Sequence, residues 1–425
     1  MVIASPTLPS GSWLTHQEHH DWLKREGLRL IEFYRAARHP MGGFGALDNN
    51  GVLTAGAVPD AVLTARLVHC FSLAAMQGIP GTADLAAEGV TALLSLFHDD
   101  ISGGWFSVPL ALAKDTSGTP PDSELAKMAY VHVFVGLAGA SAHMAHIPNS
   151  DRLLAEALDL LETHFWSEKQ GALIDGFSRD WQQQEAYRGA NSNMHATELF
   201  LALADVLGEP LWRQRALAII TRIIHDEAAQ HNGCLLEHFD ANWRPQPDYN
   251  RNRPMDQLRP FGITPGHACE WSRLMLELEA ALQAHNEGVP AWLFPDAAQL
   301  FNAGIHHGWH IDHTPGLIYT HDIDGQPVVH QRVHWTLAEA ASAASAFLKR
   351  TGEARYETLY RTLWDYIAHY LIDQQHGSWW HELDAQNRPD HRLWQGKPDL
   401  YHALQCTLIP RYPLTPALAV AIAES

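Results

Sequence analysis

The chain alternates two kinds of helical segment six times over, and few folds accommodate that alternation. One set is amphipathic and comprises residues 19–38, 81–100, 151–166, 209–230, 290–309 and 353–373. In the third of these, Leu153, Leu154, Ala157, Leu158, Leu161 and Phe165 fall on one stripe. That is the pattern of a helix with one face buried and the other in water. The second set comprises residues 60–78, 126–145, 193–208, 266–285, 333–352 and 399–410; it carries fewer charges and much Ala, Gly and Ser. A helix apolar on most sides is buried on most sides, and small residues let its neighbours approach closely.

Most members of the second set run through a short break such as "QGIPG", "LGEP" or "TGEA" into the next amphipathic helix. The result is a helix hairpin repeated about every 60–80 residues, a period typical of repeat architectures. Six inner and six outer helices predict an all-α fold, a closed (α/α)6 barrel. An open solenoid would need polar end repeats, and the first and last repeats here carry none. No linker divides the chain, so residues 1–425 read as one domain. The connections from outer to inner helices are long and rich in Gly, Trp and Asp: residues 101–108, 175–192, 238–262, 322–332 and 374–397. They collect at one mouth of such a barrel, where function usually resides. The alternating "GLIYTHDIDGQPVVH" (316–330) predicts short strands there.

With 29 basic and 48 acidic side chains the net charge is −19 and no basic patch stands out, which argues against nucleic acid as a partner. No apolar run is long enough to span a membrane, and the N-terminal stretch lacks the basic-then-apolar pattern of a signal peptide. Cys70, Cys234, Cys269 and Cys406 are widely spaced and form neither a CxxC pair nor a disulfide framework. The expected compartment is the reducing cytoplasm. The compositional oddity is 28 histidines and 15 tryptophans, side chains suited to proton transfer and to flat apolar contact.

The polar residues of the inner segments are not scattered. Arg66, His132, His195, His267 with Glu270, Glu339 and His402 all lie in the first turns of their segments. If the inner helices are parallel, these groups meet at the mouth that bears the long loops. His267 and Glu270, three apart in "TPGHACEW", share one face of a helix that starts at a Pro-Gly break. A buried guanidinium at Arg66 would need an anionic or polar partner. No HExxH, P-loop, GxGxxG or GxSxG pattern is present, and the histidine-dense "HQEHH" (16–20) and "HHGWHIDH" (306–313) read as solvated surface. No metal or cofactor is therefore expected. Glu270 and Glu339 could serve as the carboxylate pair of an inverting glycosidase, but neighbouring histidines favour proton chemistry near neutral pH.

The stretches "YRGANSNMHATE" (187–198), "FGITPGHACEWSRLML" (261–276), "RVHWTLAEA" (332–340) and "GSWWHELDAQNRP…GKPDLYHALQ" (377–405) resemble the N-acylglucosamine 2-epimerase superfamily. The likeness covers nearly the whole chain and is strongest to the aldose–ketose isomerase branch. It implies an (α/α)6 barrel acting without metal on an open-chain monosaccharide through a cis-enediolate. It also implies roles. His402 takes the C2 proton and returns it to C1, and His267 serves ring opening or acid/base work with Glu270 as its orienting partner. Arg66 holds the developing oxyanion. Asn191, His195, Arg259, Trp335 and Glu339 match sugar-contacting positions, with Trp379 and Trp380 as a pocket wall. His132, from its place among the polar residues at the mouth rather than from the resemblance, is expected as a further sugar contact.

One base over both C1 and C2 gives an isomerase, whereas two bases on opposite faces of C2 give an epimerase. The residue types permit both, so the branch follows from the resemblance. In the sulfosugar isomerases of the branch a His and a Trp precede the arginine; here Asp60 and Val62 stand there. A carboxylate in that place would repel a sulfonate, unless Asp60 is simply a helix cap. The expected reaction is D-mannose to D-fructose, with D-lyxose to D-xylulose as a related pair. A sugar 2-epimerase (mannose/glucose or N-acylglucosamine type) and a sulfoquinovose isomerase are the alternatives.

Overall fold

A computed structural model describes residues 6–113 and 123–425; the first five residues of the stretch inspected for a signal peptide lie outside it. Twelve of its α-helices form the expected ring. The inner helices are α2 (Ala61–Met76), α4 (Ala129–Met144), α6 (Ala190–Val206), α8 (Pro265–Ala284), α10 (His334–Thr351) and α12 (Tyr401–Leu408). The outer ones are α1 (Gln17–Tyr34), α3 (Thr82–Ser95), α5 (Ser150–Leu160), α7 (Pro210–Ile220), α9 (Leu293–Gly308) and α11 (Ala354–Tyr366). Each inner helix packs on the next, α12 returns to α2, and α1 covers α12, so the barrel closes. None of the helices among the described residues is long and apolar enough to cross a membrane.

Local chemistry sets the helix starts. Asp60 caps α2 by accepting the Leu63 amide at 2.7 Å. Pro210 and Pro265 occupy first-turn positions of α7 and α8, where a missing N–H costs nothing. The inner helices approach the outer ones closely where a side chain is absent: a Cβ on Gly139 of α4 would lie 3.0 Å from the Leu154 backbone of α5. Alanine-rich α10 is buried along nearly its whole length, as its composition demands.

Three outer helices, α5, α7 and α11, widen into π-helical turns before their loops, a feature the amphipathic pattern did not reveal. The long loops are joined in short antiparallel pairs: Lys127–Met128 with Gly176–Phe177, Tyr187–Gly189 with His238–Asp240, and Arg332–Val333 with Glu382–Leu383. The short strands expected within 316–330 form a hairpin, Thr320–His321 with Pro327–Val329. At the opposite end a short helix not read from the sequence, α13 (Leu418–Ala423), packs against α2, α4 and α6. Asp205 of α6 fixes its entry by accepting the Ala417 amide at 2.6 Å.

Candidate active site

Because every inner helix starts at the looped mouth, their first turns line one cavity of about 810 Å3. The floor and walls include Asp60 and Arg66 from α2, Tyr130 from α4, Asn191 and His195 from α6, and His267 and Glu270 from α8. His334 and Trp335 of α10 and Asp399 and His402 at the start of α12 complete the ring, with Arg259 and Trp394 from loops.

Two imidazoles are held alike. His267 Nδ1 lies 3.1 Å from each carboxylate oxygen of Glu237, which also accepts the Thr264 amide at 3.1 Å. His402 Nδ1 lies 2.8 Å from Glu339, whose second oxygen accepts from Arg273 Nε at 3.1 Å. A carboxylate at Nδ1 fixes the proton there and leaves each Nε2 as a lone pair. Both rings lie against Trp335, with centroids 4.9 and 5.6 Å away, so one side chain of α10 contacts both histidines. Gly266 permits this: a Cβ there would come within 2.8 Å of the Trp335 ring. Burial holds His402 well below the ordinary imidazole range, reinforced by the Arg66 charge, so it is neutral at pH 7.

Arg66 donates to Asp399 at 2.9 Å and to the Tyr130 hydroxyl at 2.8 Å, with its guanidinium 4.4 Å from the Phe134 ring centre. Burial opposes its charge, but Tyr130 and Asp399 outweigh it and the group stays cationic. Arg259 forms a two-point pair with Glu185 at 2.6 and 3.0 Å over the Tyr187 ring. Around this cavity buried polar atoms lack partners: Arg66 Nε, Asn191 Oδ1, His195 Nδ1, His334 Nε2 and both carboxyl oxygens of Glu270. Leaving such atoms unpaired costs about 1–3 kcal/mol each, and their concentration in one place marks a site built for something other than stability.

Several expected positions are corrected by the geometry. The orienting partner of His267 is Glu237, not Glu270; the latter borders the cavity but turns to other partners, 3.7 Å from His195 Nδ1 and 3.9 Å from Arg273. Burial, with Glu339 nearby, drives the Glu270 carboxyl well above its ordinary range. Glu339 does not line the cavity but stands behind His402. Trp379 and Trp380 form no wall. Trp379 is fully buried and donates to Glu26 at 2.7 Å, and Trp380 packs over the Lys397 ammonium at 4.3 Å. Trp335 and Trp394 line the cavity instead. His19 of "HQEHH" is buried against the Tyr360 hydroxyl at 2.8 Å rather than solvated.

His132 is likewise a core residue and not a sugar contact. Its Nδ1 donates to the Met128 carbonyl at 2.8 Å and its Nε2 accepts the Trp105 amide at 3.2 Å, amid Trp105, Phe165 and Trp181. Burial lowers its pKa from 6.5 to about 3. A folded value below the unfolded one means stability that is whole above pH 6.5 and is lost as pH falls toward 3, by about 1.4 kcal/mol per unit. His132→Phe is expected to be less stable at pH 7 by about 1–3 kcal/mol, because the Trp105 amide loses its acceptor. It is also expected to lose less stability than the wild type between pH 6.5 and 5, as measured by urea unfolding at the two pH values.

Among the described residues two sets of donors could hold a metal ion: His195, Glu198 and Glu270, and Glu270, Glu339 and His402, with ligand atoms within 4.8 Å of one another. The second set would compete with the His402–Glu339 hydrogen bond; the first would use oxygens of Glu270 that have no partner.

The model of the N-acylglucosamine 2-epimerase (GlcNAc 2-epimerase) family matches residues 42–406. The chain is 49% identical over 412 residues to a D-mannose isomerase of Pseudomonas cannabina pv. alisalensis, covering 97% of each chain. It is 43% identical to a D-mannose isomerase of Thermobifida fusca, covering 97% of this chain and 98% of that one. Among solved structures, a D-mannose isomerase superposes with a TM-score of 0.82 at 27% identity, covering 92% of this chain and 97% of the other. Cellobiose 2-epimerase from Spirochaeta thermophila shares the fold, with a TM-score of 0.78 at 21% identity over 93% and 96% of the two chains. With a family match spanning most of the barrel and full-length relatives at this identity, the chain belongs to the N-acylglucosamine 2-epimerase family.

Proposed function

We propose that the protein is a D-mannose isomerase, interconverting D-mannose and D-fructose, and D-lyxose and D-xylulose as a related pair, through a cis-enediolate. The observation that carries this reading is the pair of carboxylate-backed histidines that both pack on Trp335, with Arg66 in the same cavity. The naming of relatives 49% and 43% identical over the full chain supports it.

In this reading His267 promotes ring opening and His402 acts on the open chain. A C–H bond next to a carbonyl is acidic only if the charge developing on oxygen is stabilised as it forms. His402 Nε2 takes the C2 proton while electron density moves onto O1, and the cationic Arg66 holds the enediolate. The same imidazolium returns the proton to C1, a second proton passes from O2 to O1, and the C2 carbonyl of the ketose results. His195, Asn191 and Arg259 contact the sugar hydroxyls.

Asp60 is both the cap of α2 and part of the cavity lining, which unites the two readings its sequence position allowed. Burial raises its carboxyl pKa, and a carboxyl in that place opposes an anionic sugar. A neutral monosaccharide is the substrate class that fits. The unpaired thiols of all four cysteines support a reducing, cytoplasmic setting.

The test is D-mannose in D2O with the purified protein, with and without a chelator, followed by proton NMR. Fructose carrying deuterium at C1 in part of the product, at a rate unaffected by the chelator, is expected. Glucose appearing before fructose would instead make the protein a 2-epimerase. Activity lost to the chelator and restored by a divalent ion would place a metal in one of the two donor sets.

A further inference from the structure

Arg66 does not hold itself in place. One end of its guanidinium depends on Asp399, two residues ahead of α12, at the end of the long loop. Asp399 is in turn fixed at four points. Its carboxylate accepts Arg66 at 2.9 Å and the Tyr401 amide at 3.0 Å, and its carbonyl accepts the Tyr34 hydroxyl at 2.7 Å. Its own amide donates to His381 Nε2 at 2.8 Å.

A backbone amide can only donate, so His381 Nε2 carries the lone pair and the ring proton sits on Nδ1. That Nδ1–H points to the Trp379 carbonyl at 3.2 Å. One rigid ring therefore spans a donor and an acceptor from two parts of the loop. The ring itself is clamped. It packs against the His334 ring at 3.8 Å between centroids, tilted by 34°, and the His381 carbonyl accepts the His334 amide at 3.0 Å. This last contact continues the pairing of Arg332–Val333 with Glu382–Leu383, so the rim strands, the start of α10 and the start of α12 meet at His381.

We infer that His381 is a positioning residue for the reaction: through the Asp399 amide it fixes the carboxylate that aims Arg66 at the developing oxyanion. The inference rests on the isomerase reading above. His381 borders the cavity, but its hold on Asp399 matters whether or not it touches the sugar, since a displacement of about 1 Å at a catalytic group costs on the order of 100-fold. Because Arg66 acts on charge that appears in the transition state, the loss falls on kcat rather than KM.

Three substitutions test this. His381→Phe keeps a ring against His334 but has no acceptor. His381→Asn is too short to reach Asp399 while it can still donate to Trp379. His381→Gln reaches further and restores an acceptor for the Asp399 amide. Phe and Asn are expected to lower kcat about 10–100-fold with KM changed less than about threefold, and Gln to recover to within about threefold of wild type. Hydrogen–deuterium exchange across residues 397–401 supplies a readout independent of turnover: protection of the Asp399 amide should fall in Phe and Asn and persist in Gln. Full kcat in a folded Phe or Asn variant, a Gln variant as impaired as Phe, or unchanged protection in Phe would overturn the inference. A wild type that does not isomerise mannose would overturn the functional reading, and the exchange data would still decide whether His381 holds Asp399.

Discussion

Replacing His402 with asparagine is expected to lower kcat/KM for mannose by about 10²–10⁴, the range for removing a general acid–base group. That corresponds to about 3–5 kcal/mol of transition-state stabilisation. Asparagine is the informative choice because its amide can still donate to Glu339, which sits 2.8 Å from His402 Nδ1. The buried Glu339–Arg273 pair then keeps its third partner, and the fold is expected to survive with little change in melting temperature. What disappears is Nε2, the only atom of the side chain free to take a proton from carbon. Hydrogen exchange at C2 in D2O should fall by the same factor as turnover. Catalysed interconversion of the mannose anomers should persist, because ring opening is assigned to His267. The reverse pattern is expected from His267→Asn, in which interconversion slows while an open-chain analogue still exchanges at C2. If the two variants swap these signatures, the histidines exchange roles.

The barrel was legible in the sequence because its signal is long-range and redundant. The helix starts at Ala61, Pro265, His334 and Ala354 fall within one residue of the segments drawn from hydrophobic pattern alone, and six repeats reinforce one another. The α13 helix was not, since six apolar residues after a proline-rich stretch carry no period to read. The candidate site was legible where its lining comes from an inner helix: Arg66, His195, His267 and His402 all border the cavity. It failed where a partner comes from a loop. Glu237 stands 30 residues from His267 and Asp399 stands 333 from Arg66, so no spacing connects either pair. The same blindness explains the assignment of Glu270 to His267. Three residues apart on a helix is a neighbourly distance, but the side chain of Glu270 turns toward His195 and Arg273. His132 misled for a related reason, because a first-turn histidine can satisfy loop amides as readily as it can face a ligand.

Removing the charge of Arg66 separates positioning from stability, provided its counter-ion is removed as well. Arg66→Met alone leaves Asp399 buried without its cation, and breaking one side of a buried pair typically costs about 3–5 kcal/mol. Low activity in that variant would therefore be ambiguous. In the double variant Arg66→Met/Asp399→Asn the charge imbalance is gone, and the asparagine oxygen still accepts the Tyr401 amide. Thermal stability is expected to return most of the way to wild type, while kcat stays about 10²–10³ lower, the effect of losing one oxyanion-stabilising group. Arg66→Lys should not rescue. One ammonium cannot reach Asp399 and the Tyr130 hydroxyl at once and also present N–H groups to the enediolate, because that geometry needs the planar fork. Asp399→Asn alone keeps the guanidinium but loosens it, and its kcat should fall between wild type and the double variant. If instead the double variant regained both stability and turnover, charge at this position would be structural, and the enediolate would have to be stabilised by another cation of the cavity wall, Arg259 or Arg253.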